Sequence, residues 1–113
     1  MPDEVERDLL ERFVRGDQAA FESLFRQFER EVFGWIVRIV RDTGAAEDAL
    51  VEAFWRAYCG RARFQSSRSF GAWMRRIATN AALDQLRKAR RNALRLSNDT
   101  PSRPPALASD GLR

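Results

Sequence analysis

Arg76, Asn80, Arg87 and Arg91 follow one another at spacings of four, seven and four, which puts them on one flank of a helix with Leu83 and Asp84 between. Arginine and asparagine are the side chains most used to grip phosphate oxygens and to read base edges. DNA contact is one reading of this stripe; a merely solvated helix face is the other, although few such faces avoid Glu and Lys so completely. Just before it lie residues 61–69, which have no apolar period and carry three arginines, Phe64 and several small hydrogen-bonding groups. That inventory suits a nucleobase taken out of its stack and held by stacking and edge contacts, though many solvated loops share it. A third group points to a different ligand. Asp48, Val51, Glu52 and Trp55 share one side of a helical stretch, and an exposed Val and Trp among carboxylates is the makeup of a protein-binding patch. The competing reading packs Trp55 and Val51 against another helix of the same domain.

No bond-making chemistry offers itself. The 113 residues include no histidine and one cysteine, Cys59. A His/Cys zinc site, an intrachain disulfide and histidine-dependent catalysis are therefore excluded. Cys59 reads as a small helix-end residue, with no His or second Cys to activate a thiolate. The expectation is a protein that is not an enzyme and needs no cofactor or metal. Charge is split along the chain. Residues 1–60 carry 13 acidic and 8 basic side chains, and residues 61–113 carry 12 basic and 3 acidic. Two surfaces with different partners are implied, the basic one suited to a polyanion. Nineteen of the 20 basic residues are Arg, the better fork for phosphates.

The elements that must position these groups are all helical. A first helix is expected over about Asp3–Arg15, with Val5, Leu9, Leu10 and Phe13 on one face. Gly16 can end it and Asp17 can cap the next. Phe21, Leu24, Phe25, Phe28, Val32, Phe33, Ile36, Ile39 and Val40 then make one buried stripe at three- and four-residue spacing. After a break at Asp42-Thr43-Gly44, a third helix is expected from about Ala45 to Cys59, packing inward through Ala46, Leu50, Ala53, Phe54 and Ala57. A fourth is expected from about Phe70 to Arg91, capped by Ser69, with Phe70, Trp73, Met74, Ile77, Ala78 and Ala81 buried and fraying from Asn92. Pro101, Pro104 and Pro105 mark a flexible linker over residues 97–113, which implies a domain cut from a longer chain or a tail with its own role. One domain over residues 1–96 accounts for the rest, since 44% hydrophobic content with eight Phe and three Trp fills one core. No stretch approaches the roughly 18 apolar residues of a membrane span, and the acidic N-terminus lacks the layout of a signal peptide. A cytoplasmic protein without membrane insertion is expected.

In this order the elements resemble region 2 of the bacterial extracytoplasmic-function sigma factors, over about residues 6–91. Four stretches carry the resemblance. Leu9-Leu10 through Gly16-Asp17 to Ala20-Phe21 looks like the family's start. Asp48-x-x-Val51-Glu52-x-Phe54 resembles its Asp-x-x-Gln-Glu-x-Phe helix. Phe64 with residues 66–70 resembles its loop, and Phe70, Trp73, Met74, Ile77, Ala78, Asn80 and Asp84 match its last helix in spacing. The resemblance implies an all-α bundle of about four helices that recognises and melts the promoter minus-ten element. It implies docking of Asp48, Val51, Glu52 and Trp55 on the β′ coiled coil of core RNA polymerase. It puts Arg63, Phe64, Gln65, Ser66, Ser67 and Arg68 around a flipped base of the non-template strand. Arg76, Asn80, Asp84, Arg87 and Lys88 would hold the upstream edge of the element, with Arg56 near the strand. An anti-sigma factor is a further implied partner.

Two departures shape the expectation. Val51 stands where the pattern has Gln, removing an amide that can both donate and accept, so docking is expected to be weaker or suited to a different partner. The family's second helical domain, which reads the minus-thirty-five element, does not follow within these residues, and a lone region 2 loses the affinity of tethering. Two other readings remain open: a sigma-like mimic that sequesters an anti-sigma factor without touching DNA, and an unrelated helix-turn-helix binder of intact duplex.

Overall fold

The computed structural model describes residues 6–65 and 69–99, with the side chains of 96–99 left aside. Four helices follow in order: α1 (Arg7–Val14), α2 (Gln18–Val40), α3 (Thr43–Cys59) and α4 (Phe70–Asp99), with a single 3-10 turn at Arg61–Arg63 between the last two. No strand occurs among the described residues, and no described helix is long and apolar enough to cross a membrane.

The corner between α1 and α2 is set by two residues. Gly16 has φ +92°, a left-handed backbone that side chains with a Cβ rarely adopt. A Cβ there would also lie 3.2 Å from Arg61 Nη2. Asp17 then caps α2: Oδ1 accepts from the amides of Ala19 at 2.9 Å and Ala20 at 3.3 Å. Its other oxygen accepts from Arg12 Nε at 2.9 Å, so one carboxylate ties the end of α1 to the start of α2. The Arg12 hydrogen bond, helped by the Ala20 amide, holds the Asp17 carboxyl below its ordinary range.

α2 buries one residue per turn, Ala20, Leu24, Phe28, Val32, Ile36 and Val40, the stripe expected for a helix packed along its whole length. α3 starts at Thr43, two residues before the position read from sequence, because Asp42 Oδ2 accepts from the Ala45 amide at 2.8 Å and so Thr43-Gly44 form the first turn. Its inward face is mostly alanine, Ala46, Ala49, Ala53 and Ala57. Ala49 takes the buried place expected of Leu50, which is only half-buried. Small residues let this helix sit close to α2 and α4, while Phe54 fills the space toward Phe25, ring centroids 4.8 Å apart.

α4 buries Phe70, Met74, Ala78, Ala81 and Ala82. Ser69 caps it as expected, its Oγ accepting from the Ala72 amide at 3.1 Å. The helix does not fray at Asn92 but continues to Asp99. Residues 92–99 contain no Gly or Pro, and Ala93, Leu94, Arg95 and Leu96 favour helix; Pro101 is the next residue that must disturb it. From Leu83 to Arg95 no side chain is buried, so this half of α4 runs along and past the bundle.

Candidate nucleic-acid and protein interface

Phe64, after the 3-10 turn, is only 5% exposed. Its ring packs against Trp73 (4.9 Å between centroids) and Phe70 (5.7 Å), and Phe70 in turn meets Phe13 and Phe28. The aromatic of the loop is therefore an anchor that fixes the loop on the core. The aromatic left accessible is Trp73, half-buried at the first turn of α4.

Trp73 separates two open grooves. One, about 430 Å³, lies between the end of α3 and α4 and is lined by Arg56, Cys59, Gly60, Arg63, Trp73, Ile77 and Asn80. The other, about 480 Å³, lies between the 3-10 turn and the start of α4, where Arg63, Phe64, Gln65, Ser69, Trp73 and Arg76 meet. Arg63 belongs to both rims. An indole wall with guanidinium groups beside it gives each groove a flat apolar face with charged donors, and the Asn80 amide adds to the first; such a face suits a planar ring joined to an anion. The spacing Trp73, Ile77, Asn80 is the signal for this wall; apolar residues at that period usually lie in the core, but Trp73 and Ile77 are only half-buried.

The structure thus brings Arg63, Phe64, Gln65, Arg76 and Asn80 together. Ser66, Ser67 and Arg68 lie outside the described residues. Arg56, Asp84 and Arg87 are brought together in a different way, by pairing with one another. Arg56 Nη2 lies 2.9 Å from Asp84 Oδ2, and Arg87 Nη1 lies 2.8 Å from Asp84 Oδ1. Arg56 Nε also donates to Glu52 Oε2 at 2.9 Å. Glu52 holds the Arg56 guanidinium above its ordinary pKa, opposed by burial and reinforced by Asp84. Beside this chain of charges a groove of about 370 Å³ between α3 and α4 is lined by Asp48, Glu52, Arg56, Asp84, Gln85, Lys88 and Arg91.

On the outer side of α3, Val51 is 66% and Trp55 59% exposed; neither packs inside the domain. Asp48 and Glu52 are exposed beside them. Trp55 stacks on Tyr58, centroids 6.2 Å apart and 21° between planes, and Arg61 lies 4.2 Å over the other aromatic. The stack holds the indole along the helix surface as a ready apolar contact with an acidic margin.

Comparison with known proteins shows the family. A family model described as Sigma-70 region 2 matches residues 24–92. The chain is 39% identical over 83 residues to the RNA polymerase sigma-H factor of Pseudomonas aeruginosa, covering 74% of this chain and 43% of that one. It is 37% identical over 101 residues to the RNA polymerase sigma factor CarQ of Myxococcus xanthus, covering 89% and 58%. With the ECF RNA polymerase sigma factor SigW of Bacillus subtilis it shares 34% over 79 residues, or 70% of this chain and 42% of that one. The chain spans about half the length of these curated relatives. Among solved structures it is similar to an engineered region 2 of sigmaE studied by NMR in complex with GTAAAA. The TM-score is 0.73 at 33% identity, covering 81% of this chain and 97% of that chain.

Proposed function

The chain belongs to the sigma-70 region 2 family, and from that premise we propose that it is a module of transcription initiation that recognises and melts the promoter minus-ten element. The observation that carries this is the pair of grooves about Trp73, with Arg63, Arg76 and Asn80 on their rims. A duplex cannot offer a base face to an indole; a strand with an unstacked base can. In this reading α3 docks on core RNA polymerase, at the β′ coiled coil, through Asp48, Val51, Glu52 and Trp55. Docking lays α4 along promoter DNA. Arg63, Arg76 and Lys88 neutralise phosphates, Asn80 reads a base edge, and a flipped non-template base enters beside Trp73, with Ser66, Ser67 and Arg68 expected among its contacts. Capturing that base offsets an unstacking cost of a few kcal/mol. The sequence of the strand matters because only some bases fit. No bond is made or broken, and no cofactor is required; the module works in the cytoplasm, where polymerase and DNA meet.

The test is binding of a labelled single strand carrying the minus-ten element to the chain with core polymerase. Tight binding that falls on scrambling the element, and that Asn80→Ala weakens by about tenfold, the worth of one base-edge contact, is the expected result. Equal binding of element and scrambled strand would sink the reading, and tight binding to intact duplex without polymerase would point to a helix-turn-helix mode instead. One observation favours a second reading, a mimic that titrates an anti-sigma factor: Arg56 and Arg87 are engaged internally while Val51 and Trp55 are free for a protein. Capture of an anti-sigma factor with no polymerase or DNA binding would establish it.

A further inference from the structure

Asp84 stands on the flank of α4 that faces nucleic acid in the reading above, yet a carboxylate repels a phosphate backbone. Both of its oxygens are already occupied, one by Arg56 of α3 and one by Arg87 of its own helix, at 2.9 and 2.8 Å. Arg56 is shared further with Glu52 at 2.9 Å. Four charges of alternating sign, Glu52, Arg56, Asp84 and Arg87, therefore run from the acidic face of α3 to the basic flank of α4 and cancel.

A guanidinium that gives some of its five N–H groups to a carboxylate has fewer left for phosphate, and the carboxylate beside it repels the phosphate that approaches. The side chains concerned are between 35% and 62% exposed. Ion pairs this open to water are individually weak, so a competing ion can displace either end. A cation arriving at Glu52 loosens Arg56 from Glu52; a phosphate arriving at Arg87 or Arg56 competes with Asp84. Both events break the same chain.

We propose that Asp84 is a positioning residue of an electrostatic latch, which with Glu52 holds Arg56 and Arg87 back from DNA until a cationic protein surface occupies the Glu52 face. The proposal rests on the reading that the α4 flank binds single-stranded DNA and adds the coupling between that flank and α3. Because coupling is reciprocal, DNA on α4 strengthens docking at α3 by the factor that docking strengthens DNA binding.

The latch is tested with the full chain alone, titrating a fluorescent single-stranded oligodeoxythymidine at low salt. Asp84→Asn is expected to tighten binding about fivefold, the low end of a typical coupling. Glu22→Gln, which removes the same charge from an exposed α2 position outside the chain of ion pairs, serves as the reference. The gain should vanish when Arg56 and Arg87 are both Gln, and Asp84→Glu should restore the weak binding of the parent. Melting curves show that each variant folds. A gain no larger than that of Glu22→Gln, or one that survives without Arg56 and Arg87, would overturn the latch. Arg76→Ala and Arg63→Ala, measured alongside, separate the two readings. If they weaken binding while Asp84→Asn does nothing, the DNA-facing assignment stands and the latch falls; if they change nothing, the assignment falls and takes the latch with it.

Discussion

Phe64 shows how a residue can be chosen for the right place and given the wrong surface. In sequence it is the lone aromatic among Arg, Gln and Ser, which is the setting of a stacking platform. In the structure Trp73 and Phe70 cover it. Nothing in the local sequence signals this burial, because the covering rings come from the next helix and the decision lies in tertiary packing. A consequence follows for experiment. Phe64→Ala empties a buried site and is expected to cost about 3 kcal/mol or more, read as a lower urea midpoint, whereas Phe64→Leu should cost much less. Loss of DNA binding in Phe64→Ala would then report unfolding. Trp73→Leu is the better probe of stacking, because Trp73 is only half-buried and the leucine retains its apolar contact with Phe64. It should weaken single-strand binding by about tenfold, the order of one base–aromatic contact, with a smaller loss of stability than Phe64→Ala. Equal losses in both measurements would make Trp73 a core residue only. Asn80, in contrast, was legible from spacing alone, since polar residues on an exposed helix flank are free of packing and keep the position that helix geometry gives them.

Helix identity and order were readable because apolar periodicity and the Asp17, Asp42 and Ser69 caps are local signals. The end of α4 was not, because the residues after Arg91 have helix propensity but no buried face to reveal it. The α1–α2 corner gives two expectations. Gly16→Ala forces a Cβ into a left-handed backbone and against Arg61, a loss of about 1–2 kcal/mol from the backbone alone; an unchanged melting temperature would show that the corner relaxes freely. Asp17 gives a pH signature. Its folded carboxyl titrates below the ordinary value of 3.8, so its contribution is fully present above that value and disappears as pH falls through the lower folded one. Asp17→Asn keeps a capping side chain but removes the charge. The stability gap between parent and Asp17→Asn should therefore be constant at neutral pH and close in acid; a gap that stays constant down to pH ~2 would assign acid sensitivity elsewhere. On α3 the exposed Val51 and Trp55 predict the opposite pattern. Trp55→Ala should leave the melting temperature within a few degrees of the parent, as expected of surface substitutions, while reducing capture of core polymerase. A folded variant that still binds polymerase normally would remove this face from the docking surface.

At the scale of the whole molecule the proposed function makes the split charge a division of labour between the acidic outer side of α3 and the basic flank of α4. Among the described residues, Arg63, Arg76, Lys88 and Arg91 form no ion pair, although each lines one of the grooves. Each can therefore meet a phosphate without first surrendering a carboxylate. Arg56 and Arg87 meet one only beside a carboxylate that repels it. Salt dependence separates the two classes, since each phosphate contact to a single strand contributes about −0.7 to the slope of log affinity against log salt. The four unpaired cations together predict a slope of about −2.8, or roughly 50-fold weaker binding between 50 and 200 mM salt. Arg76→Ala or Lys88→Ala should each flatten the slope by about 0.7. Asn80→Ala should weaken binding and leave the slope as it was, because a base-edge contact releases no counterion. Asp84→Asn frees Arg87 outright and leaves Arg56 paired with Glu52 alone, so it should steepen the slope toward that of five contacts, about −3.5. A slope shallower than about −1 in the parent would mean that the basic flank meets no phosphate backbone. The charge asymmetry of the chain would then serve a protein partner on both faces, as the mimic requires.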